Sequence, residues 1–166
     1  MGNYLIKNNK VAVADSVIVA GEKAIVATEN LKKNTIVFLY EDEATEKRTR
    51  TSIQVSIDKH IEPGEFGAYA NHSCSPNSQV ISNYDESTNK AEVLMLTIKP
   101  VAKGEEITFD YATTETTVTP ELLNKPCLCK SQTCRHKITG FSELSLKAKM
   151  ELIASEMTAT YLQIAE

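Results

Sequence analysis

Along residues 11–109, apolar side chains arrive in short β-branched runs broken by turn-forming residues. Val11-Ala12-Val13-Ala14, Ser16-Val17-Ile18-Val19, Ala24-Ile25-Val26-Ala27 and Thr35-Ile36-Val37-Phe38-Leu39-Tyr40 each read as a strand, punctuated at Gly21-Glu22 and Lys32-Lys33-Asn34. Residues 52–57 alternate polar and apolar positions, the period of a half-buried strand. Residues 79–82 and 91–98 predict a hairpin across Asp85-Glu86-Ser87-Thr88-Asn89. Lys103-Gly104 then turns the chain into a last strand over 106–109. No helical run separates these strands, so βαβ units are excluded and several small sheets are expected. The fold class is mainly β with minor α.

The remaining stretches follow other rules. Residues 41–50 are charged and read as a solvated loop or short helix, while 112–125 are Thr-rich, lack periodicity and read as a loop. In 142–166 the period changes. Leu146, Met150, Ile153, Met157, Tyr161 and Ile164 recur at steps of four and three, which predicts one amphipathic helix of about five turns. Its stripe is expected to pack on the domain or to form a homodimer or partner contact.

Bulk properties narrow the setting. A chain of 166 residues that is 42% hydrophobic can bury the core of one domain. The net charge is −4 and lysines are scattered singly, so no footprint for direct nucleic-acid binding is visible. No apolar run reaches transmembrane length, so no membrane partner is expected. Asp15 and Ser16 interrupt the apolar residues near the start, which argues against a secretory signal. Met1-Gly2 opens like an acylation site, but the sixth residue is Ile6. The protein is expected to be intracellular, cytoplasmic or nuclear, unless exported without a recognisable signal. Its four cysteines are then expected to bind metal or stay free rather than form disulfides.

Chemistry concentrates in three stretches. Asn71-His72-Ser73-Cys74-Ser75-Pro76-Asn77 has no large apolar side chain and cannot be buried without partners for its polar groups. Gly104-Glu105-Glu106-Ile107-Thr108-Phe109-Asp110-Tyr111 is a turn and strand that end on an acid and a tyrosine. Cys127-Leu128-Cys129 with Cys134 offers three thiols to one metal. Zinc takes four ligands in a tetrahedron, so a fourth must come from elsewhere, with Cys74, His136 and His60 as the candidates.

Together the three stretches resemble the SET-domain protein lysine methyltransferases, in that family's order and spacing over residues 16–141. The resemblance implies a β-clip SET domain over 1–126, its small sheets closed by a pseudoknot-like C-terminal segment. A post-SET zinc segment over 127–141 and the amphipathic helix over 142–166 complete the division. It implies S-adenosylmethionine (AdoMet) as methyl donor and a lysine-bearing protein or peptide, a histone among the candidates, as acceptor. Tyr111 would sit at the methyl-transfer point, with Tyr40 as a second channel tyrosine. Lys23, Ala24, Asn71, His72, Tyr111 and Leu128 would hold the cofactor, and Cys74, Cys127, Cys129 and Cys134 one zinc ion. The sequence departs from the family at two places: its common Gly-x-Gly is Glu22-Lys23-Ala24 here, and a common arginine is Ala68. These departures keep open a zinc-stapled module that binds a peptide or partner without turnover.

Methyl transfer needs a lysine in its free-base form, whereas its pKa in water is about 10.4. A narrow apolar channel favours the neutral amine and aligns it. On this reading no strong general base is required.

Overall fold

The structure is a computed structural model and describes residues 2–164. Met1 and residues 165–166, which fall within the outer segment limits given above, lie outside the described residues. The described elements are β1 (Asn3–Lys7), β2 (Val11–Asp15), β3 (Lys23–Ala27), β4 (Ile36–Glu43), β5 (Ile53–Gln54) and β6 (His60–Ile61). Then come α1 (Gly64–Gly67), β7 (Asn71–His72), β8 (Ser78–Asp85), β9 (Lys90–Thr97) and β10 (Thr108–Phe109). A 3₁₀ turn (Tyr111–Thr113), α2 (Leu146–Ala154) and α3 (Thr160–Ile164) follow.

The expected small sheets are present. The largest has the antiparallel order β1-β4-β9-β8, and β2-β3, β5-β6 and β7-β10 form three two-stranded sheets. Alternation sets the packing of β9, where Ala91, Val93 and Met95 are buried and their neighbours less so. Phe38 on β4 is fully buried beneath the Phe66 ring of α1, at 6.2 Å between centroids in an edge-on pair. The 79–82 and 91–98 hairpin forms as read, in the register Ser78↔Thr97 to Asp85↔Lys90.

Residues 16–19 do not form a strand. The Ser16 hydroxyl accepts the Ile18 and Val19 amides, at 3.1 and 2.8 Å. The buried Glu106 carboxylate accepts Ser16 Oγ and the Val17 and Ile18 amides. A carboxylate that collects backbone donors takes them from any sheet ladder, so local side-chain bonding overrides β propensity here.

The pairing that matters for function is β7 with β10. These strands run parallel, with Asn71 opposite Thr108 and His72 opposite Phe109, and the whole β8-β9 hairpin lies between them in sequence. Asn77 makes the junction. Its amide nitrogen donates to Glu106 O at 2.7 Å and its oxygen accepts the Thr108 amide at 2.9 Å, so one side chain serves as a strand partner. Ser78 Oγ adds a bond to Thr108 O at 2.7 Å.

The single helix expected over 142–166 is replaced by two. The Ser155 hydroxyl donates to Leu152 O at 2.6 Å and accepts the Met157 amide at 3.4 Å, while Glu156 turns left-handed at φ 60°. Both act as a C-terminal stop for α2. The Ala159 amide then bonds Thr113 O at 2.8 Å, and Tyr161 and Leu162 pack with Ala112, Phe141 and Leu144. Of the apolar stripe, only Tyr161 is therefore buried, and Ile164 is exposed. Leu146 and Met150 of α2 are exposed. The continuous stripe on which a homodimer contact depended is not formed.

Candidate active site

Once β7 lies beside β10, residues 71–72 and 109–111 meet. The Tyr111 amide donates to His72 Nδ1 at 3.2 Å, and the two rings stand 5.1 Å apart. That bond requires Nδ1 to be unprotonated. Burial pushes the His72 pKa down to about 4 despite the nearby Asp110, so the imidazole is neutral. The Tyr111 hydroxyl donates to Ala70 O at 3.0 Å, and burial raises its pKa, which keeps it a phenol.

Tyr111 lines two cavities. The larger, about 260 Å³, is walled by Asn71, His72 and Leu128 together with Ile18, Glu22 and Arg50. The smaller, about 40 Å³, is walled by Ala70, Phe109, Glu115 and Val118 among others. Arg50 and Leu122 also line both. The small cavity has room for about three water-sized groups, by the volume one water occupies. The bend at residues 16–19 supplies Ile18 and Val19 to the wall of the larger cavity.

Charged residues line both spaces: Arg48, Arg50 and Glu115 the small one, and Glu22, Arg50 and Lys125 the larger. Arg50 Nη2 pairs with Glu22 Oε1 at 2.7 Å, and both side chains are partly exposed. Glu115 is buried. Its Oε1 accepts the Gln54 amide at 2.8 Å and the Thr114 hydroxyl at 3.2 Å. Its Oε2 lies 4.0 Å from His60 Nδ1. Burial pushes the Glu115 pKa up to about 7.

The four cysteine sulfurs lie within 4.8 Å of one another, and Cys74 Sγ is 3.7 Å from Cys127 Sγ. A tetrahedral zinc with bonds of about 2.3 Å separates its sulfurs by about 3.8 Å, so the donor set fits that ion. His60 is at Glu115 and His136 stands outside the sulfur group, which leaves Cys74 as the fourth donor. The amides of Arg135 and His136 point at Cys74 Sγ and Cys134 Sγ, at 3.4 and 3.3 Å, as suits thiolates.

Of the residues singled out in the sequence, Asn71, His72, Tyr111 and Leu128 come together at the larger cavity. Lys23 and Ala24 do not line it. Lys23 pairs with Asp15 at 2.6 Å and offers only its carbonyl, which accepts the Asn71 side-chain amide at 3.0 Å; Ala24 is fully buried. Tyr40 lines neither cavity. It sits in the core against Tyr4, its hydroxyl 3.3 Å from Asp42 Oδ2, and burial with that acid raises its pKa to about 12.

Sequence reasoning missed Arg50, Leu122, Glu115 and Arg135. Arg50 lies in a stretch read as solvated. Glu115 carried a usable signal: it is the one charged residue in 111–120, where an exposed loop would hold several.

Comparisons with known proteins agree with this fold. Residues 22–112 match the SET domain family model. The chain is 35% identical over 98 residues to "Methyltransferase flvH" of Aspergillus flavus, covering 59% of this chain and 50% of that protein. It is 28% identical over 130 residues to the "Histone-lysine N-methyltransferase, H3 lysine-4 specific" of Schizosaccharomyces pombe, covering 67% of this chain and 13% of that one. The chain thus spans half or less of the length of these relatives. Among solved structures, KRYPTONITE in complex with mCHG DNA and SAH aligns at TM-score 0.60 and 20% identity, over 77% of this chain and 28% of that one. The methyltransferase domain of human SETMAR aligns at TM-score 0.55 and 19% identity, over 74% and 56% respectively. At such identity these two speak for the fold alone. No helix among the described residues is long and apolar enough to cross a membrane.

Proposed function

The chain belongs to the SET-domain family, and from that premise we propose that it transfers a methyl group from AdoMet to the side-chain amine of a lysine in an intracellular protein, a histone among the candidates. The observation that carries this reading is the position of Tyr111, whose ring borders both cavities. One space would hold the donor and the other the acceptor.

The larger cavity has the character the donor needs. Apolar Ile18, Leu122 and Leu128 suit an adenine ring, and Asn71 and His72 offer polar edges. Glu22 and Arg50 would meet the ammonium and carboxylate of its amino-acid end. Lys23 contributes through the carbonyl that orients Asn71. Bound there, AdoMet supplies a methyl group activated by a sulfonium.

The protein's own residues do the rest. The Tyr111 hydroxyl spends its proton on Ala70 O, so its oxygen remains an acceptor. An amine N–H donated to that oxygen turns the nitrogen lone pair away from the ring and toward the neighbouring cavity. Phe109 and Val118 give the slot part of its apolar wall. The four cysteines would hold one zinc ion, whose role is to pin the tail that carries Leu128 against the central turn.

Incubating host lysate with the protein and isotope-labelled AdoMet, then locating label by mass spectrometry, tests this reading. Label on lysine side chains is expected. Label on other residues or none at all overturns it.

A second reading is favoured by Glu22, an acid where the family resemblance implies glycine, paired to Arg50 in the wall of the larger cavity. On it, the protein is a zinc-stapled module that binds a lysine peptide without turnover. A thermal shift with AdoMet separates the two, since a true ligand at about 100 times its Kd adds about 2.7 kcal/mol.

A further inference from the structure

A buried acid in a slot that must receive a cation is the feature the proposed reaction leaves unused. Glu115 lines the small cavity alongside Tyr111 and Phe109, on the turn that leaves the 3₁₀ segment. Its backbone is fixed at both ends: its amide donates to Tyr111 O at 2.8 Å and its carbonyl accepts the Phe141 amide at 2.8 Å. Its Oε1 is satisfied by Gln54 and Thr114. Its Oε2 accepts no hydrogen bond among the described residues, and His60 Nδ1 stands 4.0 Å away. One oxygen of a fixed, buried carboxylate is therefore free to take a proton.

None of the described groups around it takes that oxygen as a hydrogen-bond acceptor. His60 on β6 is pushed down in pKa by burial and by Arg48, so it is neutral and does not form a competing ion pair. Arg48 lines the same cavity and favours the Glu115 carboxylate by its charge, while it donates to Thr117 O at 3.2 Å and to the Thr117 hydroxyl. Arg50 is held by Glu22. Tyr161 on α3 directs its hydroxyl at Gln54 O and Thr114 O, and that of Tyr111 is committed to Ala70 O.

We infer that Glu115 accepts the proton that the substrate lysine must lose, which makes the small cavity a site that admits the ammonium form and converts it to the amine. This rests on the transferase reading of the two cavities. The lysine enters as an ammonium, its common form at neutral pH. One N–H bond breaks, its proton passes to Glu115 Oε2, and the nitrogen keeps the electron pair. That pair forms the new N–CH₃ bond as the S–CH₃ bond of the donor breaks, the leaving pair staying on sulfur. The product is a methylated ammonium, and Glu115 returns its proton to solvent.

The sign of the pH effect follows. Burial holds the Glu115 pKa near 7. The carboxylate is available above that value, while the lysine remains an ammonium up to about 10.4. The kcat/KM of the wild-type protein should rise through pH 7 and level off. Glu115→Gln keeps an oxygen for the Gln54 amide but cannot take a proton. It should lose about a hundredfold at pH 7, and its profile should climb steadily toward the pKa of lysine, about 10.4. Glu115→Asp should recover part of the loss at pH 7. The acceptor is a peptide found methylated in the lysate experiment.

A second measurement needs no turnover. In protein carrying ¹³C-labelled glutamate, n-butylammonium chloride should lower the Glu115 titration midpoint, since a bound cation favours the carboxylate; n-pentanol should not. Profiles of equal shape in wild type and Glu115→Gln, or a midpoint that n-butylammonium does not move, overturn the inference while leaving the transferase reading intact. A shifted midpoint in a protein that methylates nothing overturns the transferase reading instead.

Discussion

Arg135 grips the Asp110 carboxylate with both terminal nitrogens, Nη1 to Oδ2 at 2.7 Å and Nη2 to Oδ1 at 2.6 Å. Asp110 is almost fully buried, and its Oδ1 also accepts the Ala112 amide at 3.0 Å, which caps the turn bearing Tyr111. The fork thus ties the cysteine-bearing tail to the residue that aims the tyrosine. It does so without any metal.

Arg135→Lys should therefore cost more than a change of like charge suggests, because an ammonium cannot match a carboxylate at two points. A loss of about 2 kcal/mol is expected for giving up one hydrogen bond to a charged group. Urea denaturation reads it. Wild-type stability in the variant would show that the fork contributes nothing.

Tyr111→Phe removes the oxygen that orients the amine but leaves the ring that walls both cavities. We expect kcat to fall about a hundredfold, with the Kd for AdoMet within about threefold of wild type, as for a group that acts mainly in the transition state. Steady-state kinetics and calorimetry together check it. An unchanged kcat rules the role out.

The thiol cluster makes a prediction that needs no substrate. Elemental analysis should find one zinc per chain, since the four sulfurs lie within 4.8 Å. Cys74→Ser should raise amide exchange across 127–138, where the Cys127 amide bonds His136 O and the Ile138 amide bonds Lys125 O. Exchange that stays unchanged would mean that Arg135 alone holds the tail.

How much of this could be read from residues alone depended on what the chemistry of each stretch allowed. The hairpin over 79–98 was legible because alternation and turn residues agree there. Asn71, His72, Tyr111 and the cysteines stood out because the three stretches together resemble one family's motifs in their order, where each alone reads as a turn, a strand end or free thiols. Residues 16–19 misled because the acceptor that pulls them from a strand, Glu106, lies far along the chain. The helix over 142–166 misled because periodicity carries no record of a serine that folds back on its own turn. Arg50 and Arg135 are visible only as partners, and partnership is a property of the fold.

Glu22→Gln probes the departure from the family pattern. The Glu22–Arg50 pair is partly exposed, so its loss should change stability by no more than about 1 kcal/mol. If Glu22 meets the donor's ammonium, AdoMet affinity should fall about tenfold, near the loss of one hydrogen bond to a charged group. Tighter binding would instead mark Glu22 as an obstruction, and would strengthen the module reading.

The last test joins the C-terminal helices to the small cavity. The Tyr161 hydroxyl reaches Gln54 O at 2.6 Å and Thr114 O at 2.8 Å, and these two residues also supply the donors that hold Glu115 Oε1. A continuous helix through 155–159 would carry Tyr161 elsewhere; the stop at Ser155 and Glu156 is what lets it reach. Tyr161→Phe leaves two buried carbonyls short of a donor, which costs about 1–3 kcal/mol. The strain falls on the wall of the acceptor slot rather than on the donor space, whose lining does not include Tyr161. We therefore expect KM for the acceptor peptide to rise several-fold while the Kd for AdoMet holds. Equal loss of both would mean that Tyr161 supports the fold as a whole and not this slot.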